Sequence, residues 1–243
     1  MIFVSLFILS AFSFQDTNEA KEAYFLFEKM MKKIDGAKTL QVEFEMMNER
    51  GEQKREASGK LALAGGNKMK MDLVMASPRG DQKLVILSDG KKSMQMQGSQ
   101  RQEVDTLEGR NEILQKMFSR LGVMVGFMFS DNEFGAEKGK LKKIDDYLTL
   151  TGFKKGESEK VDGREADVVT FLAQISIKED KAAVKVWIDS ETGLPLKRSI
   201  TPYRDGKPSE DEMLETYAKI TLDAEIPEDR FALPSEEPEK KEK

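Results

Sequence analysis

Few residues of this chain are placed to do chemistry. Asp189 and Glu191 stand two apart ahead of Thr192-Gly193, a spacing at which two carboxylates can share a calcium ion. The same four residues also make an ordinary turn, and the turn is the reading adopted here. Gly135–Lys140, GAEKGK, resembles a phosphate loop. It has one residue too few between its glycines, and Leu141 stands where a Ser or Thr would reach magnesium. Ser88–Lys91, SDGK, matches the S-x-x-K of serine–lysine acyl enzymes. That motif belongs on a helix, whereas Asp89-Gly90 between two alternating runs signals a hairpin turn. The chain has no cysteine and no histidine, which excludes cysteine nucleophiles, Ser-His-Asp triads, His-based metal sites and Cys-zinc sites. Hydrolysis by paired carboxylates stays open as a class, but it needs two carboxylates converging in one cavity. The expectation is a protein that is not an enzyme and has neither a cofactor nor a metal site.

Methionine is what remains. The chain carries 14, and they gather in the early and middle segments. In Asn67–Met75, NKMKMDLVM, the residues Met69, Met71, Leu73 and Met75 alternate with Lys68, Lys70 and Asp72. Alternation of period two makes a strand with one wet and one apolar face. Valine and isoleucine are the usual strand formers, whereas the thioether side chain is flexible and fills irregular space. A methionine face either packs as an ordinary core or lines a cavity that reshapes around acyl chains. Burying one long acyl chain contributes on the order of 10 kcal/mol before ordering costs, and it requires no catalytic group.

The elements that must carry such a face are legible. Ala20, Ala23, Tyr24, Phe27, Met30, Met31 and Ile34 recur at helical spacing, with Asp16 and Glu19 as a capping box and Gly36 as the stop. Leu40, Val42, Phe44 and Met46 then alternate with Gln41, Glu43 and Glu45, followed by a polar turn over 48–56. GKLALAGG places Leu61 and Leu63 on one face, and the methionine strand comes next. KLVILSDGKKSMQMQ reads as two short strands around Asp89-Gly90, the second bearing Met94 and Met96. Asp-Gly recurs at Asp162-Gly163 and Asp205-Gly206, and type I′ turns take such pairs. Later strands cover Tyr147–Phe153, Ala166–Ile177, Ala182–Asp189, Leu194–Arg204 and Glu212–Leu222. With no helix between successive strands, the sheet is an antiparallel meander rather than a βαβ fold.

One helical pattern interrupts the strands. Ile113, Leu114, Met117, Phe118, Leu121, Met124, Val125, Met128 and Phe129 keep a helical period, and Leu121–Phe129 is uncharged on every side. This predicts a lid helix over Asn111–Phe129, with Gly122 and Gly126 allowing close packing or a bend. The predicted acyl-chain cavity is lined by Val42, Phe44, Met46, Leu61, Leu63, Met69, Met71, Leu73, Met94 and Met96 of the sheet. The lid adds Met117, Phe118, Leu121, Met124 and Met128.

The termini frame a single domain over residues 17–234. Met1–Phe14 is uncharged and apolar, too short for a bilayer core of about 30 Å, and Ala11-Phe12-Ser13 offers a small-x-small cleavage site. It reads as a signal peptide over residues 1–13, the alternative being a buried N-terminal element. No cysteine follows it to take a lipid anchor. The tail 235–243 is charged and expected to be disordered. Charged residues make up 34 % of the chain and its net charge is −5, with basic residues scattered. A nucleic-acid binder would need a basic stripe, so no nucleic-acid partner is expected. No transmembrane segment is expected in the mature chain, and the protein is expected to be a monomer.

The order of these pieces resembles the LolA/LolB superfamily of periplasmic lipoprotein carriers over Ala20–Pro234. The resemblance rests on TLQVEFEM, on G-x-L-x-L before NKMKMD, and on LVILSDGKKSMQ. It continues through the mid-chain apolar helix, the hairpin VWIDSETGLPLKR and the closing IPEDRFALP. It implies an α+β fold: an unclosed antiparallel β-barrel of about ten strands, whose apolar concave face is covered by an N-terminal helix and a mid-chain lid. It implies a periplasmic carrier that takes acylated lipoproteins or another lipid from an inner-membrane donor towards an outer-membrane acceptor. The alternative on the same scaffold is a sensory or regulatory module that recognises an envelope protein. The sequence departs from the family pattern in two places. Gly65-Gly66 stands where the classical carrier has an arginine that helps set lid closure, and Met69 stands where an aromatic usually enters the cavity.

Overall fold

The computed structural model describes residues 18–51, 53–78, 80–104, 106, 108–128, 144, 148–175 and 180–234. The predicted signal peptide, the Asp16 half of the capping box, Phe129, the Gly135–Lys140 loop, Tyr147, Ile177 and the charged tail lie outside them.

Helix α1 (Asn18–Asp35) comes first, ended as expected by Gly36, whose N–H bonds the Lys32 carbonyl. Six strands follow: β1 (Thr39–Arg50), β2 (Gln53–Ala64), β3 (Lys68–Met75), β4 (Gln82–Asp89), β5 (Ser93–Gln97) and β6 (Gln100–Val104). Helices α2 (Arg110–Leu121) and α3 (Val123–Met128) then interrupt the sheet. It resumes with β7 (Leu148–Lys155), β8 (Glu159–Val161), β9 (Arg164–Ile175), β10 (Asp180–Asp189), β11 (Pro195–Arg204), β12 (Lys207–Pro208) and β13 (Glu212–Leu222).

All thirteen strands among the described residues belong to one antiparallel sheet in the order β6-β5-β4-β3-β2-β1-β13-β11-β10-β9-β7, with β12 on β11 and β8 on β9. The two halves join through β1 and β13, and β6 and β7 are its ends, so the barrel is unclosed. The count exceeds the expected ten for a local reason. Strand β6 (QRQEV) is polar on both faces and shows no alternation, while β8 and β12 are short arms of Asp-Gly hairpins. The predicted turn over 48–56 is also much tighter. Asn48, Glu49 and Arg50 pair with Arg55, Lys54 and Gln53, so strand pairing runs to Arg50 and resumes at Gln53. Asp162-Gly163 and Asp205-Gly206 have positive φ at both residues, as type I′ requires. Asp89-Gly90 does not: only Gly90 is left-handed, and the Asp89 side chain accepts the N–H groups of Lys91 and Lys92 in a longer turn.

Cross-strand register decides which side chains face inward. Val42 opposes Leu61, Leu61 opposes Met71, and Met71 opposes Ile86, so these share the concave face. Phe44 opposes Gly59, whose missing side chain matters: a Cβ there would sit 2.8 Å from the Phe44 ring. Lys68, Lys70 and Asp72 are half-buried on the opposite face, as predicted. Helix α1 buries Ala23, Phe27, Met30 and Ile34, with the Phe27 ring 4.7 Å from Phe171 of β9 and 5.4 Å from Phe153 of β7.

Candidate functional site

The concave face and the helices over it form one continuous apolar cluster. Val42, Phe44, Leu61, Leu63, Met69, Met71, Leu73, Met117, Phe118 and Leu121 are all buried in it, and Met46 and Met124 pack against it partly buried. Met128 belongs to α3, and its side chain lies outside the described residues. The interior is closed in this conformation, since Met69 and Met71 are no more than 1 % exposed.

Met94 and Met96 are not part of this face. Ser88 opposes Ser93 and Ile86 opposes Gln95, so the inward positions of β5 are Ser93 and Gln95. Met94 and Met96 oppose Leu87 and Val85 on the outer face. That face has its own apolar layer: the 3-10 turn Glu228–Phe231 packs on β3 and β4, and Ala62, Leu87 and Phe231 are buried there. The two methionines extend this outer layer, which corrects their placement in the cavity.

The lid is two helices, where the periodicity predicts one. The break falls at Gly122, with φ 109°, and is built around a buried polar cluster. Arg198 of β11 and Glu215 of β13 are cross-strand partners on the concave face, and neither is more than 1 % exposed. The Glu215 carboxylate accepts the N–H groups of Val123 (2.9 Å) and Met124 (3.0 Å), the first two residues of α3. The Arg198 guanidinium donates to the carbonyls of Phe118 (2.9 Å) and Ser119 (3.3 Å), in the last turn of α2. An anion therefore meets a helix start and a cation meets a helix end, as the helix dipoles favour. Tyr217 joins the two charges. Its hydroxyl accepts from Arg198 at 3.0 Å and donates to Glu215 at 2.7 Å. Burial raises the Glu215 carboxyl above its usual range although Arg198 opposes the shift, and burial pushes the Tyr217 phenol well above its own. Only glycine fits at the break, because a Cβ on Gly122 would lie 2.6 Å from a Glu215 carboxylate oxygen.

A second set of polar contacts holds the rim of the lid. The Asn111 amide donates to the carbonyls of Ala64 and Lys68, and the Gln115 amide to those of Ile34, in the last turn of α1, and Ala37, just beyond it. Ser119 and Arg120 both bond Asp35, at 2.6 and 3.0 Å. The lid thus has an apolar underside and directional hydrogen bonds at its edge. Beside α3 the interior reaches a cavity of about 450 Å³, walled by Leu121, Val125, Ala173, Ile200 and Met213, with Arg50, Lys181 and Arg204 at its mouth.

Sequence reasoning missed Arg198, Glu215 and Tyr217. A signal was present for two of them: Met213, Glu215 and Tyr217 keep one strand phase, so a carboxylate falls at an inward position between two apolar residues. Two of the chemical motifs it set aside, Ser88–Lys91 and Asp189–Glu191, are turns. Asp189 accepts the N–H groups of Glu191 and Thr192 and contacts Arg164. No group of three or more potential metal-ligating residues occurs among the described residues. No helix among them is long and apolar enough to cross a membrane.

No protein-family profile and no curated protein matches this sequence. Solved structures do. LprF from Mycobacterium bovis superposes with a TM-score of 0.51 at 11 % identity, covering 86 % of this chain and 97 % of that one. MucB matches at 0.42 and 13 % identity over 89 % of this chain, which spans 64 % of the MucB chain. A LolA superfamily protein from Nitrosomonas europaea matches at 0.34 and 11 % identity, covering 87 % and 97 %. Such identities speak to architecture alone: the LprF superposition shows that this chain shares the overall fold of that protein, here an unclosed antiparallel sheet with a helical cover.

Proposed function

We propose that this protein is a non-catalytic carrier of acylated lipoproteins, or of another lipid, and holds their acyl chains inside the curved sheet while crossing the periplasm. One observation carries the reading. The methionine-rich concave face is roofed by two helices that are attached by an apolar underside and by hydrogen bonds from buried and rim side chains. Hydrogen bonds can be exchanged for water as a lid lifts, and the methionine side chains beneath can repack around a chain of variable shape. In the closed conformation those side chains fill the interior themselves, so the proposed cargo replaces contacts the protein already makes with itself. An inner-membrane donor and an outer-membrane acceptor are the partners this role requires. Monomeric protein suits it, because the lid closes on its own sheet.

The test compares a synthetic lipopeptide bearing a triacylated N-terminal cysteine with the same peptide lacking acyl chains, by calorimetric titration. Saturable one-to-one binding of the acylated form alone is the expected result. Equal binding of both forms would replace the carrier with a module that recognises polypeptide, and binding of neither would overturn both readings.

A further inference from the structure

The mouth of the cavity beside α3 has a charge pattern that a simple acyl-chain pocket does not need. Arg50 ends β1, Lys181 lies at the start of β10 and Arg204 ends β11, and all three line the same cavity as the apolar Leu121 and Met213. Among the described residues two carboxylates also line it: Asp211 pairs with Arg204, while Glu212 accepts the Ser199 hydroxyl and keeps its charge, which leaves the cations in excess by one. Arg50 and Lys181 are exposed and make no ion pair among the described residues. The whole chain carries a net charge of −5, so this basic mouth runs against the general field of the molecule. Its volume of about 450 Å³ lies within the roughly 300–1,000 Å³ of small-molecule sites.

We propose that this mouth binds the anionic head, a carboxylate or a phosphate, of an amphiphile whose chain runs over Leu121 and Met213 into the interior. The proposal rests on the carrier reading and adds to it a site for an acidic head group. Arg50 and Lys181 supply charge-assisted hydrogen bonds to the head, with Arg50 able to take a carboxylate or phosphate in bidentate fashion. A neutral head of the same size can accept a single hydrogen bond but gains no charge pairing from either cation. Arg204 stays with Asp211 and shapes the rim.

Calorimetric titration with decanoate, decyl phosphate and decanol, each below its micelle concentration, separates the contributions. The anionic amphiphiles are expected to bind at least about tenfold more tightly than decanol, the worth of a hydrogen bond to a charged group at a partly exposed site. The preference should shrink as salt is raised from 50 to 500 mM, over which the Debye length falls to about 4 Å. In the double variant Arg50→Gln, Lys181→Gln it should vanish while decanol affinity holds. Both residues are exposed, so folding is not at stake. Equal affinity for decanol and decanoate, or a preference that survives the double variant, would overturn the proposal. Inorganic phosphate competing as well as decyl phosphate would also overturn it, by reducing the mouth to an anion site with no use for the chain. Failure of all three amphiphiles while the triacylated lipopeptide binds would sink this proposal and leave the carrier. Failure of the lipopeptide as well would sink both.

Discussion

Glu215→Ala removes the acceptor on which the break in the lid depends. Two N–H groups at the start of α3 and the Tyr217 hydroxyl lose their partner, and Arg198 loses the charge that balances it. Each buried polar group left unsatisfied costs about 1–3 kcal/mol, and removing one partner of a buried charge pair costs about 3–5 kcal/mol. The two figures describe overlapping losses and do not add. Against them stands the desolvation of the carboxylate, which the variant no longer suffers and which is large enough to raise its pKa. A net loss of about 3 kcal/mol follows, or roughly 6–12 °C in Tm for a domain of this size. Urea titration gives the total, and hydrogen exchange locates it. Exchange should accelerate in α2 and α3 well before the central strands β1, β2 and β13. Glu215→Gln should cost less, since its amide oxygen still accepts one of the two helix N–H groups. A Glu215→Ala protein within about 0.5 kcal/mol of the parent, with lid exchange unchanged, would refute the idea that this carboxylate fixes the lid; that margin is what ordinary surface changes produce.

Gly122→Ala should destabilise by about 2 kcal/mol, from a non-glycine residue at φ 109° and a Cβ 2.6 Å from the Glu215 carboxylate. Part of that cost should disappear in a Glu215→Ala background, which a double-mutant cycle measures. The raised pKa of Glu215 sets the sign of its pH dependence. The folded state holds the proton more tightly than the unfolded chain, so the contribution is complete below the ordinary value of 4.5 and is lost as pH rises through the folded pKa. The urea-derived stability of the parent minus that of Glu215→Gln should therefore fall from pH 4 to pH 8, and a rise would contradict the assignment. Met71→Asp should cost several kcal/mol, because it buries a carboxylate in the closed interior, whereas Met94→Asp on the half-buried outer face should cost about 1 kcal/mol or less. Thermal melts showing the reverse order would mean the register of β5 is wrong.

Local pattern determined what depends on neighbouring residues. The alternation of Met69, Met71 and Leu73 with Lys68, Lys70 and Asp72 fixed a strand and the opposition of its faces, because successive side chains must point to opposite sides. The spacing of Phe27, Met30 and Ile34 fixed α1 in the same way, and Asp-Gly pairs marked the hairpins. Which face of a strand joins the core is a different matter. For β5 the composition reads Met94 and Met96 inward, but face parity passes through the turn from Asp89 to Lys92, and the register sets Gln95 against Ile86. The 3-10 turn at Glu228–Phe231, far along the chain, then gives the outer face an apolar partner of its own. The lid shows the same limit. Its helical period runs through Gly122, which the sequence marks only as a place for close packing or a bend, and it breaks there because Arg198 and Glu215, on strands distant in sequence, bring a cation to one helix end and a carboxylate to the next. The sequence by itself determined the elements, their amphipathic faces and their order along the chain. Tertiary structure alone decided which faces meet and where the lid divides, since pairing register and buried charge are relations between residues that no local period records.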